Sequence, residues 1–260
     1  SPRVLRMEHA SRNRIQMAAD AGCIWVNGRP VKSNYRIKPL DVVQIVMDRP
    51  RHTFEIVAQD IPLDIVYEDD AVLVVNKPAG MVVHPGHGNY DGTLVNALAW
   101  HFRNIPGYDA SDPRMGLVHR IDKDTSGLLL VAKNDESQLR LAKQFFEHSI
   151  ERCYNAIVWG NITEDEGTVE GYIGRDPNDR LRFRNFDDPE KGKHAVTHYR
   201  VLERFGYVTL VECRLETGRT HQIRVHMAYI GHPILGDTVY GNKKPVPGLQ
   251  GQCLHAVGLK

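Results

Sequence analysis

The sequence predicts an α+β protein in two parts. A small α+β module occupies residues 1–50, and a larger domain over residues 62–260 is built on a largely antiparallel mixed sheet with flanking helices. Two observations predict this class. Strand-like segments come in groups joined by hairpin signals, with few helical stretches between them. A basic, linker-like stretch, Arg49-Pro50-Arg51, separates the first group from the rest.

In the first module Ser11 is placed to cap a helix running through Ile15, Met17 and Ala18 to about Ala21, with Gly22 as its stop. Ile24-Trp25-Val26 then meets an Asn27-Gly28 pair, the strongest short hairpin signal, and returns through Pro30-Val31. A strand over 41–46 closes the unit. In the larger domain Ile65-Val66-Tyr67 and residues 71–75 flank Glu68-Asp69-Asp70 as a hairpin. Pro78-Ala79-Gly80 turns the chain, and Leu94, Ala97 and Leu98 give residues 93–102 a helical period. Residues 127–132 are apolar throughout and read as a buried strand. Ser137 opens a helix to about His148, with Leu141, Ala142, Phe145 and Phe146 at helical spacing. Strands follow over 152–159, 168–173, 180–185, 194–204 and 207–215, then a helix over 221–230 that ends on Gly231.

With 42% hydrophobic and 25% charged residues, the composition is that of an ordinary globular protein. Apolar runs such as 127–132 are far short of the roughly 20 residues that cross a bilayer, so no membrane partner is expected. No basic-then-apolar leader opens the chain, and a start at Ser1-Pro2 without an initiator Met reads as a trimmed terminus. A cytoplasmic, monomeric enzyme is the expectation. Cys23, Cys153, Cys213 and Cys253 form no Cys-x-x-Cys pair, which speaks against a zinc ribbon or a disulfide framework. Charge is unevenly spread. Residues 1–51 hold ten Lys/Arg against four acids, and the remaining 23 bases face 28 acids. A basic module on a near-neutral body suits a polyanionic partner.

Three segments concentrate reactive groups in turns. They run from Asn76 to Pro85, from Gly116 to Lys133, and from Leu215 to Met227. The second carries His119, Arg120, Asp122, Lys123 and Asp124 straight into the apolar strand, which sets a charged loop on a rigid support. In the third, Thr220 is placed to cap a helix whose Ile223, Met227 and Ile230 face inward. Arg219 and Arg224 then sit near its positive end, an unfavourable place for cations unless an anion compensates. His221 and His226 are five apart and do not converge as a metal pair, so no metal is expected. Asp122 with Asp124 could alternatively serve as the paired carboxylates of a glycosidase-like hydrolase. Tyr154 alternates with Ala156 and Val158 as a half-buried strand tyrosine would.

The second segment resembles the signature of the RluA-type pseudouridine synthases, a His-Arg-Leu-Asp string followed by a Thr-Ser-Gly turn and an apolar strand. The first and third segments resemble that family's other two motifs, and Arg152-Cys153-Tyr154 its tyrosine motif. Together they span about residues 63–260 in the family's order, nearest to its ribosomal large subunit pseudouridine synthase D branch. The N-terminal unit resembles the small RNA-binding domain of ribosomal protein S-four, here N-terminally truncated. This chain departs at Ile121, where Leu is commoner, and ends at Lys260, where another strand segment usually follows. An incomplete C-terminal sheet edge is therefore expected.

The resemblance implies isomerisation of uridine to pseudouridine in structured RNA, most closely that of the large ribosomal subunit, at a looped uridine and with no cofactor. It assigns Asp122 as the catalytic carboxylate, Arg224 as the cation that keeps it charged, and Tyr154 as the ring that stacks on uracil and accepts a proton. Arg120 fills the gap left by the flipped nucleotide; His119, Arg219 and Ile223 complete the substrate site. Arg12, Arg14, Arg29 and Lys32 are expected to hold RNA through the basic module. A non-catalytic RNA-binding protein that keeps this fold is the competing reading. Lys77 and Pro78 are expected to support the pocket.

Overall fold

The computed structural model describes residues 16, 19–20, 22–45, 56–86, 88–105, 116–179 and 181–260. The chain divides into two compact units, Ser1–Thr53 and Phe54–Lys260.

In the first unit, β1 (Ile24–Val26), β2 (Arg29–Pro30) and β3 (Val43–Ile45) pair in the order β2-β1-β3, all antiparallel. The β1–β2 turn has Asn27 at φ 51° and Gly28 at φ 79°, the two left-handed residues that a type I′ hairpin requires. The Asn27 side chain also fastens the approach to β3: Nδ2 donates to Asp41 (2.8 Å) and Oδ1 accepts from the Val42 N–H (2.9 Å). That tie keeps Asp41 and Val42 out of the strand expected over 41–46. Most of the helix expected from Ser11 lies outside the described residues, as do Arg12 and Arg14. Gln16, Ala19 and Asp20 are helical, and Gly22 ends the turn at φ 70°.

Among the described residues the second unit is one nine-stranded sheet flanked by helices. Its strands are β4 (Ile65–Glu68), β5 (Val72–Lys77), β6 (Ser126–Ala132), β7 (Arg152–Trp159), β8 (Glu166–Arg175), β9 (Phe183–Phe186), β10 (Lys193–Arg204), β11 (Val208–Leu215) and β12 (Leu254–Leu259). They lie in the order β4-β5-β6-β12-β7-β11-β10-β8-β9, and only β12 and β6 run parallel. The last strand is therefore interior, between β6 and β7. Close approach of β12 depends on Gly127 (φ 111°): a Cβ there would collide with the backbone of Ala256.

Helix α1 (Leu94–Phe102) is capped by Thr93 and Asn96, each bonding the other's backbone N–H. Leu94, Leu98 and Phe102 are fully buried in the main core with Leu73, Val75, Leu129 and Val131 of β5 and β6. Helix α2 (Asp135–Phe146) departs from expectation twice. It starts earlier than Ser137, because Asn134 accepts the Ser137 N–H and serves as cap. Its apolar residues also form no core face: none is buried, and Leu139 and Phe146 are 74% and 84% exposed. Helix α3 (Gln222–Tyr229) buries all of its first six residues and ends before Gly231 at φ 86°. Its cap is His221 in the left-handed region without a side-chain cap bond, not Thr220. Val225 beneath it joins Ile173, Ala195 and Tyr240 in a second small core.

Candidate active site

Three chain segments meet at the centre of the sheet. The loop 119–125 arrives at β6, Tyr154 projects from β7, and α3 begins just after β11. The loop is held from below by Lys77. This fully buried residue donates from Nζ to the carbonyls of Pro78 (2.8 Å), Met81 (2.9 Å) and Lys123 (2.9 Å). The Gly80 N–H also bonds the Lys123 carbonyl, at 2.9 Å. Burial pulls the Lys77 ammonium down to about 8, against the opposing pull of Asp124 and Asp122. Lys77 thus has the supporting role expected for it.

On that platform the Asp122 side chain is 21% exposed, and its Oδ2 accepts from Arg224 Nη1 at 2.9 Å. Sequence reasoning expected this cation at the head of α3. It did not foresee the residue that holds the cation. Arg224 also donates from Nε (2.7 Å) and Nη2 (3.1 Å) to the two oxygens of Asp237, whose side chain has no exposure. Asp237 Oδ1 further accepts the N–H groups of Val239 and Tyr240. Burial would weaken the Arg224 base, but Asp237 and then Asp122 outweigh it and raise its pKa. Burial would likewise raise Asp237, yet Arg224 holds it below the usual carboxylate range. A lone acid straight after the apolar pair Ile234-Leu235 and a glycine was the available hint.

His221 sits beside this pair. Its Nδ1 meets the Tyr240 hydroxyl at 2.8 Å, and its Nε2 lies 3.8 Å from Asp122 Oδ2. The Tyr240 oxygen accepts from the Phe183 N–H at 2.9 Å, so its own proton is available to His221 Nδ1. Burial lowers the His221 pKa, with Asp122 opposing. His226 is directed elsewhere, fully buried against Thr197 (2.9 Å). Among the described residues no group of three or more His, Cys, Asp or Glu converges as a metal would require.

These groups line a cleft. Ile121, Leu215, Ile223 and Leu254 supply apolar wall, Tyr154 a nearly buried ring, and Asp122 with Arg224 the charged pair; Arg120, Arg219 and His221 line it too, with Thr125 and Gln222. Burial pushes the Tyr154 phenol up to about 12, with Arg152 opposing, so it is a neutral hydroxyl at neutral pH. Six sequence candidates are thereby brought together: Asp122, Tyr154, Arg224, Arg120, Arg219 and Ile223. His119 is not among them. Its Nε2 accepts the Leu130 N–H at 2.9 Å and its ring stacks on Phe145 at 4.5 Å. Burial brings its pKa down to about 4, so it joins loop to strand as a neutral ring. Asp124 does not line the cleft either, which leaves the paired-carboxylate reading without its second acid. Arg29 and Lys32 are exposed on the first unit.

A carboxylate paired with a fixed guanidinium, in a cleft of mixed polar and apolar lining that includes a tyrosine ring, is suited to attack on, or charge stabilisation of, a planar polar ring. Comparison with known proteins gives that arrangement a context. The RNA pseudouridylate synthase family matches residues 71–229, and the S4 domain matches residues 3–43. An uncharacterized RNA pseudouridine synthase of Bacillus subtilis, YlyB, is 51% identical over 246 residues, covering 95% of this chain and 79% of that protein. Ribosomal large subunit pseudouridine synthase D of Zymomonas mobilis is 48% identical, covering 96% of this chain and 80% of that one. Among solved structures, human RNA pseudouridylate synthase domain containing 1 superposes with a TM-score of 0.62 at 30% identity, covering 78% of this chain and 79% of its own.

Proposed function

The chain belongs to the RNA pseudouridylate synthase family, and from that premise we propose that it isomerises uridine in large-subunit ribosomal RNA with Asp122 as the catalytic carboxylate. That target is the one named for several relatives at 43–48% identity. The observation that carries the catalytic assignment is the 2.9 Å bond between Asp122 Oδ2 and a guanidinium fixed on its far side by Asp237. Burial disfavours an unpaired charge; this pairing sets a fixed cation against the Asp122 carboxylate in a cleft from which a bound base would exclude water.

The isomerisation breaks the bond between uracil N1 and ribose C1′, turns the ring, and joins C5 to C1′. One proton leaves C5 and one is gained at N1, with no net oxidation. Asp122 supplies the nucleophile or the negative charge that the separated sugar requires. Tyr154 and Ile223 sandwich the ring during its rotation. As a neutral hydroxyl, Tyr154 accepts the C5 proton only while handing its own to solvent at the cleft mouth, from which N1 regains one, so its role is that of a relay. Arg120, exposed at the cleft mouth, takes the place of the extruded nucleotide, and extraction costs only a few kcal/mol, least from a loop.

The test is single-turnover conversion of an unmodified large-subunit ribosomal RNA transcript. Asp122→Asn is expected to lower the rate by more than about a thousandfold with RNA affinity retained. Turnover at the wild-type rate would remove Asp122 from this role. Wild-type protein that binds the transcript and forms no pseudouridine would remove the target.

A further inference from the structure

The guanidinium of Arg152 is buried and, among the described residues, has no counter-charge. Arg152 opens β7 on the same sheet face as Tyr154, and the two residues are 8% and 9% exposed. Its Nη2 donates to the Glu216 carbonyl at 3.3 Å, its buried Nε has no partner, and among the described residues no carboxylate lies within ion-pair distance of it. Its charged neighbour is another cation: burial lowers the basicity of Arg152, and Arg219 lowers it further. The chain also makes room for this group. A Cβ at Gly218 would collide with Arg152 Nη1, so Gly218 lets the guanidinium pass directly beneath the residue that precedes Arg219. Arg219 lines the cleft and commits only its Nε, to the His194 carbonyl at 2.8 Å.

An unpaired buried cation is destabilising, and a second, partly exposed cation beside it more so. Such a pair persists where an anion completes it when the protein works. Two guanidinium forks offer paired N–H groups to one tetrahedral oxyanion, and a carboxylate from the protein is not what they meet. We propose that Arg152 and Arg219 form a phosphate site beside the cleft, holding a phosphodiester of the RNA strand next to the nucleotide that enters it. The proposal rests on the RNA substrate of the preceding section. It makes Arg152 a binding residue that fixes the strand against the edge of the base pocket.

The experiment uses the full chain and the unmodified ribosomal RNA transcript, with binding measured between about 50 and 200 mM salt. Arg152→Gln is expected to weaken binding about tenfold at the lower salt. It should also reduce the slope of log affinity on log salt by about 0.7–0.9, the loss of one phosphate contact. Arg152→Lys should restore most of the slope. The thermal midpoint of free Arg152→Gln should be equal to or above that of wild type, because an unpaired charge has been removed. An unchanged slope overturns the proposal. So does a lower midpoint at unchanged slope, which would make Arg152 a structural group. Thermal protection by inorganic phosphate that disappears in Arg152→Gln while the RNA slope stays the same would also overturn it, in favour of a free-anion site. A wild-type protein inactive on the transcript would count against the proposed target alone, since the slopes are read from binding.

Discussion

At the scale of single residues, Asp237 decides how Arg224 can serve Asp122. A guanidinium donates through a rigid planar fork. With Nε and Nη2 committed to Asp237, Nη1 is left for Asp122. Asp237→Asn keeps the shape but removes the charge, leaving a buried Arg224 paired only with a partly exposed carboxylate. Breaking a buried pair in this way costs about 3 kcal/mol or more. We expect that loss in urea unfolding at neutral pH, together with a fall in turnover of about tenfold to a hundredfold as Asp122 loses its fixed partner. The sign with pH follows from the depressed Asp237 carboxyl. Its contribution is present above the ordinary unfolded value near 4 and is lost as pH falls through the lower folded value. The gap between wild type and Asp237→Asn should therefore close in acid. A gap that persists there would mean the asparagine harms the fold by another route. Little of this was legible in the sequence: spacing exposes a cation at a helix head and an acid follows the apolar pair Ile234-Leu235, but a partner thirteen positions away, after a turn, has no periodic signature.

At the scale of elements, the loop that carries Asp122 is positioned less by its own residues than by β5. Lys77 ends that strand and satisfies three carbonyls with three N–H donors, which only the ammonium possesses. Because burial brings this group down to about 8, the clamp loses a donor as pH rises through that value. We expect the single-turnover rate of wild type to decline above about pH 8 and that limb to be absent from Lys77→Met, whose rate at pH 7 is already about tenfold lower or worse. A Lys77→Met profile that keeps the same alkaline decline would separate it from Lys77. Elements were more legible than their surroundings. The Asn27-Gly28 turn, the β4–β5 hairpin and α1 followed from turn chemistry and period. The apolar spacing that predicted a helix from Ser137 to about His148 was also correct in type, yet Phe146 of that stripe and the neighbouring Leu139 face outward; periodicity reports a stripe and not what covers it. Likewise β12 belongs inside the sheet because Gly127 lets Ala256 approach, a pairing between segments more than a hundred residues apart.

At the scale of the whole molecule, charge and chemistry are divided between the units. The residues of the cleft all belong to Phe54–Lys260, whereas residues 1–51 carry a net charge of +6 and include the S4 match. The division was visible in composition before any fold was known, because net charge is a sum that needs no geometry. Which cations touch RNA is a geometric question, and composition does not answer it. Arg29 and Lys32 are the exposed described candidates of the first unit. Exposed cations on a hairpin interact with phosphates through charge more than through shape, so each should contribute to affinity without reading sequence. Arg29→Gln with Lys32→Gln in the intact chain should therefore lower affinity for ribosomal and unrelated RNA alike. The salt slope should fall by about 1.4–1.8 for two contacts, and the rate at saturating RNA should be retained, because no cleft group is altered. Parallel measurements on the two RNAs decide the matter. A loss confined to one RNA would make these residues readers of a particular structure, and an unchanged slope would move the basic module's contacts to its other cations.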